Sequence, residues 1–552
     1  MPGLTALQNW LEKQKVAHHK HDGWQYHPVA VKHHQEYFLN APQDENKKTQ
    51  EDKLEIKNVI GKNIEVSKIL KVLSKHGTPY LVGGSVRDIL LGKEPKDFDV
   101  EVYGIPKDKL DSILSTELGS TAKQVGKSFG VFKIGDVDIS LPRTERKIGE
   151  KHADFEVVPD PTLSPEDASR RRDFTINSLL WNPNDNTILN FFEGLEDLKN
   201  KTIRHINDKT FVEDSLRVYR AAQFSARFGF TIHPETVKLA SSMDLSNLPA
   251  ERVYEEFRKM LLMSNVPSIG LQSLDDMEVL DRYYPEISSL KNTPQSEKWH
   301  AEGSAWTHTL MALDEAAKII ERFSSDKDKI IVMIATLVHD VGKPPTTKQE
   351  AGGNITSHGH DKAGVEVART FLDKLTNEKD VIEDVLFLVE NHLTPHVHFY
   401  RAQPPDSAFR KLINKFGMRR LELLMAVSEA DSLGRLHKEG GEISHPTRKE
   451  VDWFRSRLYE VAKKEGTTSQ GFIPLLVTGK DLRSLGFSES PYLGKIIRDI
   501  KSQQEEGSLE KKEEALKYVR DNYVIKSNSN LTLLNNFIAL QVTPESIAAA
   551  RQ

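Results

Sequence analysis

The chain contains no cysteine among its 552 residues, which excludes disulfide bonds, thiolate zinc sites and cysteine nucleophiles. It also lacks any apolar run near the roughly 20 residues that a membrane-spanning helix requires. Residues 1–15 have polar residues distributed throughout and contain no apolar core of the kind found in secretory signals. These absences lead us to expect a cytoplasmic protein with no membrane partner, and they leave its oligomeric state open.

A strong excess of charge of either sign is also missing, because the formal net charge is only −5. A nucleic-acid partner would therefore be held by local basic faces rather than by the overall charge. The composition is 38% hydrophobic and 28% charged, as in ordinary globular proteins. The length suffices for roughly three or four domains.

A strand, two glycines and the start of a helix are predicted in succession between Tyr80 and Leu91. Tyr80–Val82 has the apolar character of a short strand, Gly83 and Gly84 interrupt it, and Ser85–Leu91 favours a helix. Backbone N–H groups at such a helix start point towards an anion, and the helix dipole also favours negative charge. The stretch therefore predicts a cradle for phosphate groups.

Two carboxylates follow this cradle on a second predicted strand. Asp97 and Asp99 alternate with Phe98 and Val100, so both carboxylates lie on one face of the strand. Each pattern alone is more often a plain turn or a solvated strand. Together they favour a Mg²⁺ site beside a triphosphate, as nucleotidyl transfer requires.

The joint pattern, with Arg87-Asp88 and the stretch from Lys96 to Gly104, resembles the DNA polymerase β superfamily. Within this superfamily, the sequence motif is similar to that of the class II branch, which comprises CCA-adding tRNA nucleotidyltransferases and bacterial poly(A) polymerases. The resemblance continues in pieces to about Tyr523 and implies catalysis by Asp97 and Asp99. It also implies that Asp138, on a later predicted strand, completes the metal site or acts as a base; a solvated strand-end carboxylate is the alternative.

The resemblance extends to Arg170–Leu179 and to Phe211–Phe230. Arginine offers a forked cation to phosphate, while Asp and Asn side chains can hydrogen-bond a ribose hydroxyl. Asp214 and Arg217 lie three apart on one face of a predicted helix, where they could read the Watson–Crick edge of C or A. The resemblance implies nucleotide binding by Gly83, Gly84, Arg87, Arg143, Arg172, Asp173, Asn177, Glu213, Asp214, Arg217 and Arg220.

Residues 143–165 combine charges, Gly149 and three prolines with little periodicity, and they predict a mobile loop. The loop resembles the flexible segment with which CCA-adding enzymes switch from C to A addition. Its full length argues against the enzymes that add only CC.

Histidine and aspartate residues recur on apolar helical segments between residues 299 and 435. A single buried histidine is more often a satisfied core residue, but ligands from several helices suit a divalent metal with open positions. The series resembles the HD phosphohydrolase superfamily and consists of His308, His339, Asp340, His360, His392 and Asp431. We expect His308, His339, Asp340 and Asp431 to be core ligands, while His360 and His392 would hold a second metal or bind phosphate.

The two predicted metal sites differ in their ligand chemistry. The head offers only oxygen ligands, which suit Mg²⁺. The HD site mixes imidazole with carboxylate, which suits Mn²⁺, Ni²⁺, Co²⁺ or Fe²⁺ better.

These observations predict an α+β fold: a polymerase-β-like nucleotidyltransferase head, a helical neck and body, a helical HD domain and a small helical C-terminal segment. Residues 44–57 have the composition of a charged linker, and the His-rich extension before them could be poorly ordered, a helical appendage or a metal site. The expected divisions are an N-terminal extension (1–57), the head (58–193), a nucleotide-selecting neck and body (194–295), the HD domain (296–465), a tRNA-binding segment (466–527) and a tail (528–552).

The resemblance implies template-independent addition of CMP and AMP, from CTP and ATP, to the 3′ end of tRNA. It further implies that the HD domain is a phosphatase, 2′-nucleotidase or 2′,3′-cyclic phosphodiesterase. A poly(A) polymerase, or a specialist that adds only A or only CC, remains the alternative within the same class. From a different class, the alternative is an RNA-binding scaffold with inactive sites, which the intact carboxylates disfavour.

Overall fold

The computed structural model describes residues 45–119, 123–125, 131–147, 155–439, 441–444 and 447–524. The chain divides into two compact units. The first comprises residues up to Met260 together with Ile269–Tyr283 and Ala301–Gly303, and the second comprises Leu261–Ser268, Tyr284–His300 and the residues from Ser304 onward. Within the described ranges, no helix is both long and apolar enough to cross a membrane.

The first unit is built on a mixed seven-stranded sheet with the order β3-β4-β5-β2-β1-β8-β9. The strands of the whole first unit, including the separate pairs β6-β7 and β10-β11, are β1 (Thr78–Val82), β2 (Phe98–Tyr103), β3 (Lys123–Val125), β4 (Val131–Ile134), β5 (Val137–Ser140), β6 (Arg143–Lys147), β7 (Phe155–Pro159), β8 (Leu180–Asn182), β9 (Thr187–Leu189), β10 (Thr202–Ile203) and β11 (Thr231–Ile232). Its helices are α1 (Glu45–Lys62), α2 (Ile64–Leu73), α3 (Gly84–Leu90), α4 (Lys107–Glu117), α5 (Pro165–Arg170), α6 (Gly194–Lys199), α7 (Asp208–Glu213), α8 (Leu216–Phe228), α9 (Pro234–Ser241), α10 (Ala250–Leu262), α11 (Ser268–Asp276) and α12 (Val279–Tyr283).

The central strand β2 carries the acidic pattern into the middle of this sheet. Val100 and Val102 are fully buried, so the apolar face of the strand is anchored in the core. The strand pairs antiparallel with β1 and parallel with β5. Because side chains alternate between the two faces, burial of these valines presents the intervening residues on the opposite face.

Helix α1 runs through the boundary expected at residue 57. The interpretation of residues 45–57 as a charged linker is therefore wrong. Ile56 and Ile60 are 0% and 4% exposed and lie four residues apart, so they form a buried stripe on a mostly polar helix. The charges belong to the exposed side of that helix. The His-rich residues up to 44 lie outside the described part of the chain.

The segment after Arg143 is also more regular than expected, because β6 and β7 form an antiparallel ribbon from Arg143↔Pro159 to Lys147↔Phe155. The prediction of a loop over all of residues 143–165 is therefore wrong at both ends. A two-stranded ribbon is held by backbone pairing, which leaves no alternating apolar pattern in the sequence. Residues 148–154 lie outside the described ranges.

The second unit is helical. Its helices are α13 (Pro285–Ser288), α14 (Ala305–Ile319), α15 (Asp326–Val338), α16 (Lys343–Thr346), α17 (His360–Leu375), α18 (Lys379–Asn391), α19 (Asp406–Leu433), α20 (Lys449–Glu465), α21 (Gly479–Ser484), α22 (Pro491–Glu506) and α23 (Lys512–Asn522). Two short hairpins accompany them, β12 (Lys348–Gln349) with β13 (Ile355–Thr356) and β14 (His437–Glu439) with β15 (Glu442–Ser444). Helix α19 is kinked at Gly417, where φ is 74°.

Helices α21, α22 and α23 have an apolar core of their own, which includes Leu482, Ile496 and Val519. This core makes the C-terminal segment a folded element rather than a loose extension. Arg410 of α19 attaches it, because its Nε donates to the Glu505 carbonyl over 2.8 Å.

Candidate active sites

The phosphate cradle of the first unit forms where β1 ends. Gly83 has a φ of 64°, which glycine adopts without strain, and helix α3 begins at the next residue. A Cβ atom on Gly83 would lie 2.6 Å from Nη1 of Arg172. The glycine therefore leaves room for a guanidinium directly over the turn.

Three carboxylates converge beside this turn. Asp97 precedes β2, Asp99 lies on it, and the parallel register pairs Asp99 with Asp138 of β5. The hydroxyl of Ser85, in the first turn of α3, accepts from the Asp99 N–H over 2.8 Å and donates to the Asp97 carbonyl over 3.2 Å. This hydroxyl ties the cradle to the acidic strand and fixes their relative position.

The electrostatics of this triad suit a bound cation. Burial raises the pKa of Asp99; Arg172 opposes that shift, while Asp138 and Asp97 add to it. Nζ of Lys133 lies 3.4 Å from Asp97 and 3.3 Å from Asp138, and the bond to Asp138 raises the pKa of the lysine. An all-oxygen set of this kind fits Mg²⁺.

Lys133 is a residue that the sequence analysis missed. Its place could have been found from strand pairing alone, because Lys133 on β4 stands opposite Asp138 in the antiparallel register.

Behind the cradle, Asp173 anchors a buried polar network. Its Oδ1 accepts from Asn177 Nδ2 over 2.9 Å, and its Oδ2 accepts from Nε and Nη2 of Arg220 over 2.9 and 2.6 Å. Burial alone would raise the pKa of Asp173, but Arg220 and Asn177 outweigh it and hold the pKa below its ordinary value. The aspartate is therefore ionised and has a fixed orientation.

Arg87 completes this network from inside α3. It donates to Oδ1 of Asn177, pairs with Asp88 at 2.6 Å and lies 4.7 Å from the centre of the Phe228 ring. Only 4% of Arg87 is exposed, and burial lowers its pKa. These contacts hold Asn177, so the visible role of Arg87 is to position its neighbours. Arg143, at the start of β6, lies opposite Pro159 in the ribbon.

The expected helix through Asp214 and Arg217 is interrupted, so the prediction that they share one helical face is wrong. Helix α7 ends at Glu213, Asp214 is extended with φ −124° and ψ 94°, and α8 begins at Leu216. The Asp214 carboxylate accepts from the Leu216 N–H over 3.1 Å, which is the local capping bond that competes with a continuous helix.

Glu213 and Arg217, on either side of this break, nevertheless both contact Arg171. Arg217 donates to the carbonyls of Thr210 and Arg171, each over 2.7 Å, and Glu213 lies 3.3 Å from the Arg171 guanidinium. These two carbonyl bonds hold the guanidinium of Arg217 in a single orientation.

The second unit gathers the predicted HD residues in its interior. Each is at most 9% exposed. They are His308 on α14, His339 and Asp340 directly after α15, His360 at the start of α17, His392 directly after α18, and Asp431 on α19.

Two close helix approaches make this convergence possible. A Cβ atom on Gly342 would lie 2.0 Å from the His360 carbonyl oxygen, and one on Gly434 would lie 2.4 Å from the Ala312 nitrogen. The first approach brings Asp340 to His360, and the second brings the end of α19 to the helix of His308.

The distances describe two linked groups of ligands. Nε2 of His308 is 3.0 Å from Asp431 Oδ1 and 3.3 Å from Nε2 of His339, which is itself 3.2 Å from Asp340 Oδ2. The other oxygen of Asp340 is 3.3 Å from His360 Nε2, which lies 3.1 Å from His392 Nε2. Two triads that could each hold a metal therefore share Asp340.

The tautomers of the four imidazoles follow from their other ring nitrogen. The Nδ1 atom of each ring lies 2.7–3.2 Å from a backbone carbonyl oxygen. His308 faces the carbonyl of Gly434 and His339 that of Thr336, while His360 faces Ser357 and His392 faces Val389. Because a carbonyl only accepts, each Nδ1 carries the proton and each Nε2 presents a lone pair to the centre. Metal-ligating histidines are usually held in this way.

The charges at the centre also fit a metal. Burial lowers the pKa of His392 to about 3, so this imidazole is neutral. Burial alone would raise the pKa of Asp340, but the cationic surroundings of the carboxylate, which include Lys343, hold it well below its ordinary value. Lys343 Nζ approaches Asp340 Oδ2 to 2.5 Å, yet this buried oxygen accepts no well-directed hydrogen bond among the described residues. That oxygen therefore retains capacity to bind a cation.

Lys343 and Arg435 were not selected from the sequence. Arg435 pairs with Asp431 Oδ2 at 2.5 Å. Both cations follow a ligand within one helical turn, which is a spacing that could have indicated them.

Comparison with known proteins agrees with this architecture. Residues 79–204 match the Poly A polymerase head domain, residues 229–291 match the probable RNA and SrmB-binding site of polymerase A, and residues 305–436 match the HD domain. These matches and the two sites define a nucleotidyltransferase that carries an HD domain.

The multifunctional CCA protein of Pasteurella multocida is 36% identical over 408 residues, which cover 71% of this chain and 92% of that protein. The multifunctional CCA protein of Mannheimia succiniciproducens is 35% identical over 401 residues, covering 69% and 89%. The chain therefore belongs to the family of multifunctional CCA proteins, and the resemblance found in the sequence is confirmed.

Among solved structures, the Bacillus stearothermophilus CCA-adding enzyme in complex with CTP aligns with a TM-score of 0.56 at 18% identity, over 88% of this chain and 99% of that one. This likeness confirms the predicted α+β fold. The expected domain boundaries and the roles of individual residues remain predictions.

Proposed function

We propose that this protein adds CMP and AMP to the 3′ end of tRNA without a nucleic-acid template. The observation that carries the proposal is the pairing of Asp99 with Asp138 across β2 and β5, beside a glycine turn that accommodates Arg172. The membership of the multifunctional CCA family supports CTP and ATP as the nucleotides. These substrates are consistent with a cytoplasmic protein.

In the proposed reaction the tRNA 3′-hydroxyl gives up its proton to Asp138 or to water and attacks the α-phosphate, the bond from the α-phosphorus to the oxygen that bridges the β-phosphate breaks, and pyrophosphate leaves. Asp97, Asp99 and Asp138 would hold Mg²⁺, which neutralises the triphosphate and lowers the pKa of the attacking hydroxyl. Arg172 binds the phosphates from above Gly83. Asp173 and Asn177, fixed by Arg220 and Arg87, orient the ribose.

We propose that Asp214 and Arg217 read the edge of the incoming base. The carboxylate accepts from the exocyclic amine that both C and A carry, and the guanidinium donates to a ring nitrogen or carbonyl. Since the two carbonyl bonds of Arg217 fix its direction, U and G would leave one of these groups unpaired, which costs binding. Glu213 holds Arg171 beside them.

We also propose that the HD centre hydrolyses phosphoesters. Its mixed imidazole and carboxylate set would hold Mn²⁺, Ni²⁺, Co²⁺ or Fe²⁺, which supplies a hydroxide nucleophile and polarises a phosphoryl oxygen. Lys343, beside Asp340, balances the negative charge of the centre. The substrate class is a 2′-phosphate or a 2′,3′-cyclic phosphate.

The C-terminal segment is proposed to bind tRNA through phosphate contacts. Lys480 and Arg483 lie on α21, and Lys495 and Arg498 lie on α22. Their charges offer sequence-independent contacts to the tRNA backbone.

The decisive experiment supplies tRNA lacking its 3′ end with CTP or ATP singly and together, using wild type, Asp99→Ala and Asp340→Ala. We expect wild type to need both nucleotides for a complete end. Asp99→Ala should lose addition, because it removes a carboxylate from the triad, and should retain hydrolysis of 2′,3′-cyclic phosphates. Asp340→Ala should show the reverse.

Thermal melting of each variant separates loss of chemistry from loss of fold, since removing a buried metal ligand can unfold its surroundings. Incorporation of ATP alone in long runs would indicate a poly(A) polymerase instead. Loss of both activities in a folded Asp99→Ala protein would contradict the assignment of two independent centres.

A further inference from the structure

One segment of the second unit, Thr293–His300, borders the HD centre at two points. Near one end, the Gln295 side chain contacts Lys343, the partner of Asp340. At the other end, the ring of His300 lies 4.9 Å from the ring of His308. An isolated bridge between Pro294 and Ser304 closes the segment into a loop. The loop therefore lies along the edge of the centre.

Gln295 presents a donor without an acceptor. Its Oε1 accepts from Lys343 Nζ over 2.6 Å, and because an ammonium only donates, this contact settles which end of the amide is oxygen. The residue is 8% exposed, and its buried Nε2 has no hydrogen-bond partner among the described residues. Buried donors are nearly always satisfied, so this atom requires an acceptor that the described part of the chain does not provide.

Trp299 gives the same loop an exposed aromatic surface. Its side chain is 47% exposed, although tryptophan is normally largely buried. The His437 ring stands edge-on to it at 5.6 Å, and Lys298 Nζ lies 4.9 Å from its ring centre. An aromatic ring with neighbouring cationic and imidazole groups is the combination that stacks on nucleobases.

We propose that Thr293–His300 is the substrate-recognition segment of the HD centre. Gln295 donates through Nε2 to an oxygen of the substrate phosphate, and Trp299 stacks on the base of the same nucleotide. The substrate is then a nucleotide, which carries a base, rather than a phosphoester without one. This inference rests on the proposed phosphoester hydrolysis and names the substrate of that site.

The test of Gln295 uses Gln295→Glu, which keeps an oxygen for Lys343 and replaces the donor by an acceptor at equal size. We expect the dissociation constant for adenosine 2′-monophosphate, measured by calorimetry on the Mn²⁺-loaded protein, to rise at least about 10-fold. The measurement is made at saturating Mn²⁺, because a negative charge added beside Lys343 also acts on the metal affinity of the centre. Unchanged nucleotide binding would overturn the role of Gln295 and leave water as the acceptor of Nε2.

The test of Trp299 compares adenosine 2′,3′-cyclic phosphate with a methyl riboside 2,3-cyclic phosphate that has no base. Trp299→Ala should raise KM for the nucleoside substrate roughly 5- to 30-fold, as expected for loss of a partly exposed stack, and leave the abasic substrate unaffected. Trp299→Phe, which keeps a ring, should recover most of the loss. Equal effects on both substrates would overturn the stacking role.

The binding measurement also separates two kinds of failure. A wild-type protein that hydrolyses neither substrate with any metal refutes the proposed hydrolysis, while nucleotide binding that depends on Gln295 and Trp299 would still support recognition at this loop. A wild-type protein that binds no nucleotide at the HD centre refutes the recognition segment.

Discussion

Replacement of Gly342 by alanine tests whether the close approach of two helices assembles the HD centre. Gly342 directly precedes α16 and has a φ of −82°, which any residue adopts, so the backbone itself accepts alanine. Space is the limit, because the new Cβ would lie 2.0 Å from the His360 carbonyl oxygen and 2.5 Å from the Gly364 nitrogen. These neighbours are backbone atoms, which cannot rotate away.

The size of the disturbance follows from these distances. Relief of the contact requires α17 to move by at least about 1 Å, whereas metal–ligand distances tolerate about 0.2 Å. Nε2 of His360 and Oδ1 of Asp340 are only 3.3 Å apart. His360 lies on α17 and Asp340 lies just before α16, so this movement would separate them. We expect at least about a 10-fold loss of Mn²⁺ affinity and an overpacking cost of about 1–3 kcal/mol.

The measurement is Mn²⁺ titration by calorimetry, together with thermal melting and tRNA addition. Gly494→Ala is the matched control, because its Cβ would meet nothing nearer than Arg498 Nη1 at 3.7 Å in a regular helix. The control should bind Mn²⁺ like wild type. Wild-type metal affinity and melting in Gly342→Ala would refute the steric reasoning.

Two further predictions concern charge. Lys133→Met should tighten Mn²⁺ binding to the first unit, because it removes the cation that lies 3.3–3.4 Å from Asp138 and Asp97. Calorimetry measures this affinity on an Asp340→Ala background, which removes the HD centre from the titration. Weaker binding would contradict the prediction. Burial raises the pKa of Asp314 to about 6, so the folded state loses stability as pH rises from about 4 to above 6. Asp314→Asn should remove that loss, so the melting temperature of the variant minus that of wild type should increase between about pH 4 and pH 7. A difference that stays constant with pH would refute the raised pKa of Asp314.

The central sheet and the acidic pair were predictable because their pattern is local. The alternation around Asp97 and Asp99 and the glycine turn at Gly83 each occupy a few consecutive residues. Helix α1 was missed because two buried isoleucines, Ile56 and Ile60, were outweighed by the surrounding charges. The break at Asp214 was missed because a capping bond to Leu216 leaves no trace in helical periodicity.

The HD cluster was predicted from residue type, but its geometry was not. Nothing in the spacing indicates that Asp340 is shared between two triads, since that depends on the approach of Gly342 to His360. Gln295 was not predicted either, because nothing in the sequence distinguishes it from other glutamines. Only the structure shows that its buried amide nitrogen has no acceptor among the described residues.

The fixed tautomers of His308, His339, His360 and His392 have a practical consequence for anyone who isolates this protein. As proposed, the four imidazole lone pairs and the two carboxylates of the HD residues would bind a divalent metal, and the folded chain would have little means of rejecting whichever transition metal arrives first. Ligand sets of this kind follow the general affinity order of divalent ions rather than a strict preference. The metal content of a purified sample would thus be a record of the culture medium and the affinity resin. Refolding in the presence of a chelator, followed by controlled loading, is the way to learn which ion the centre uses.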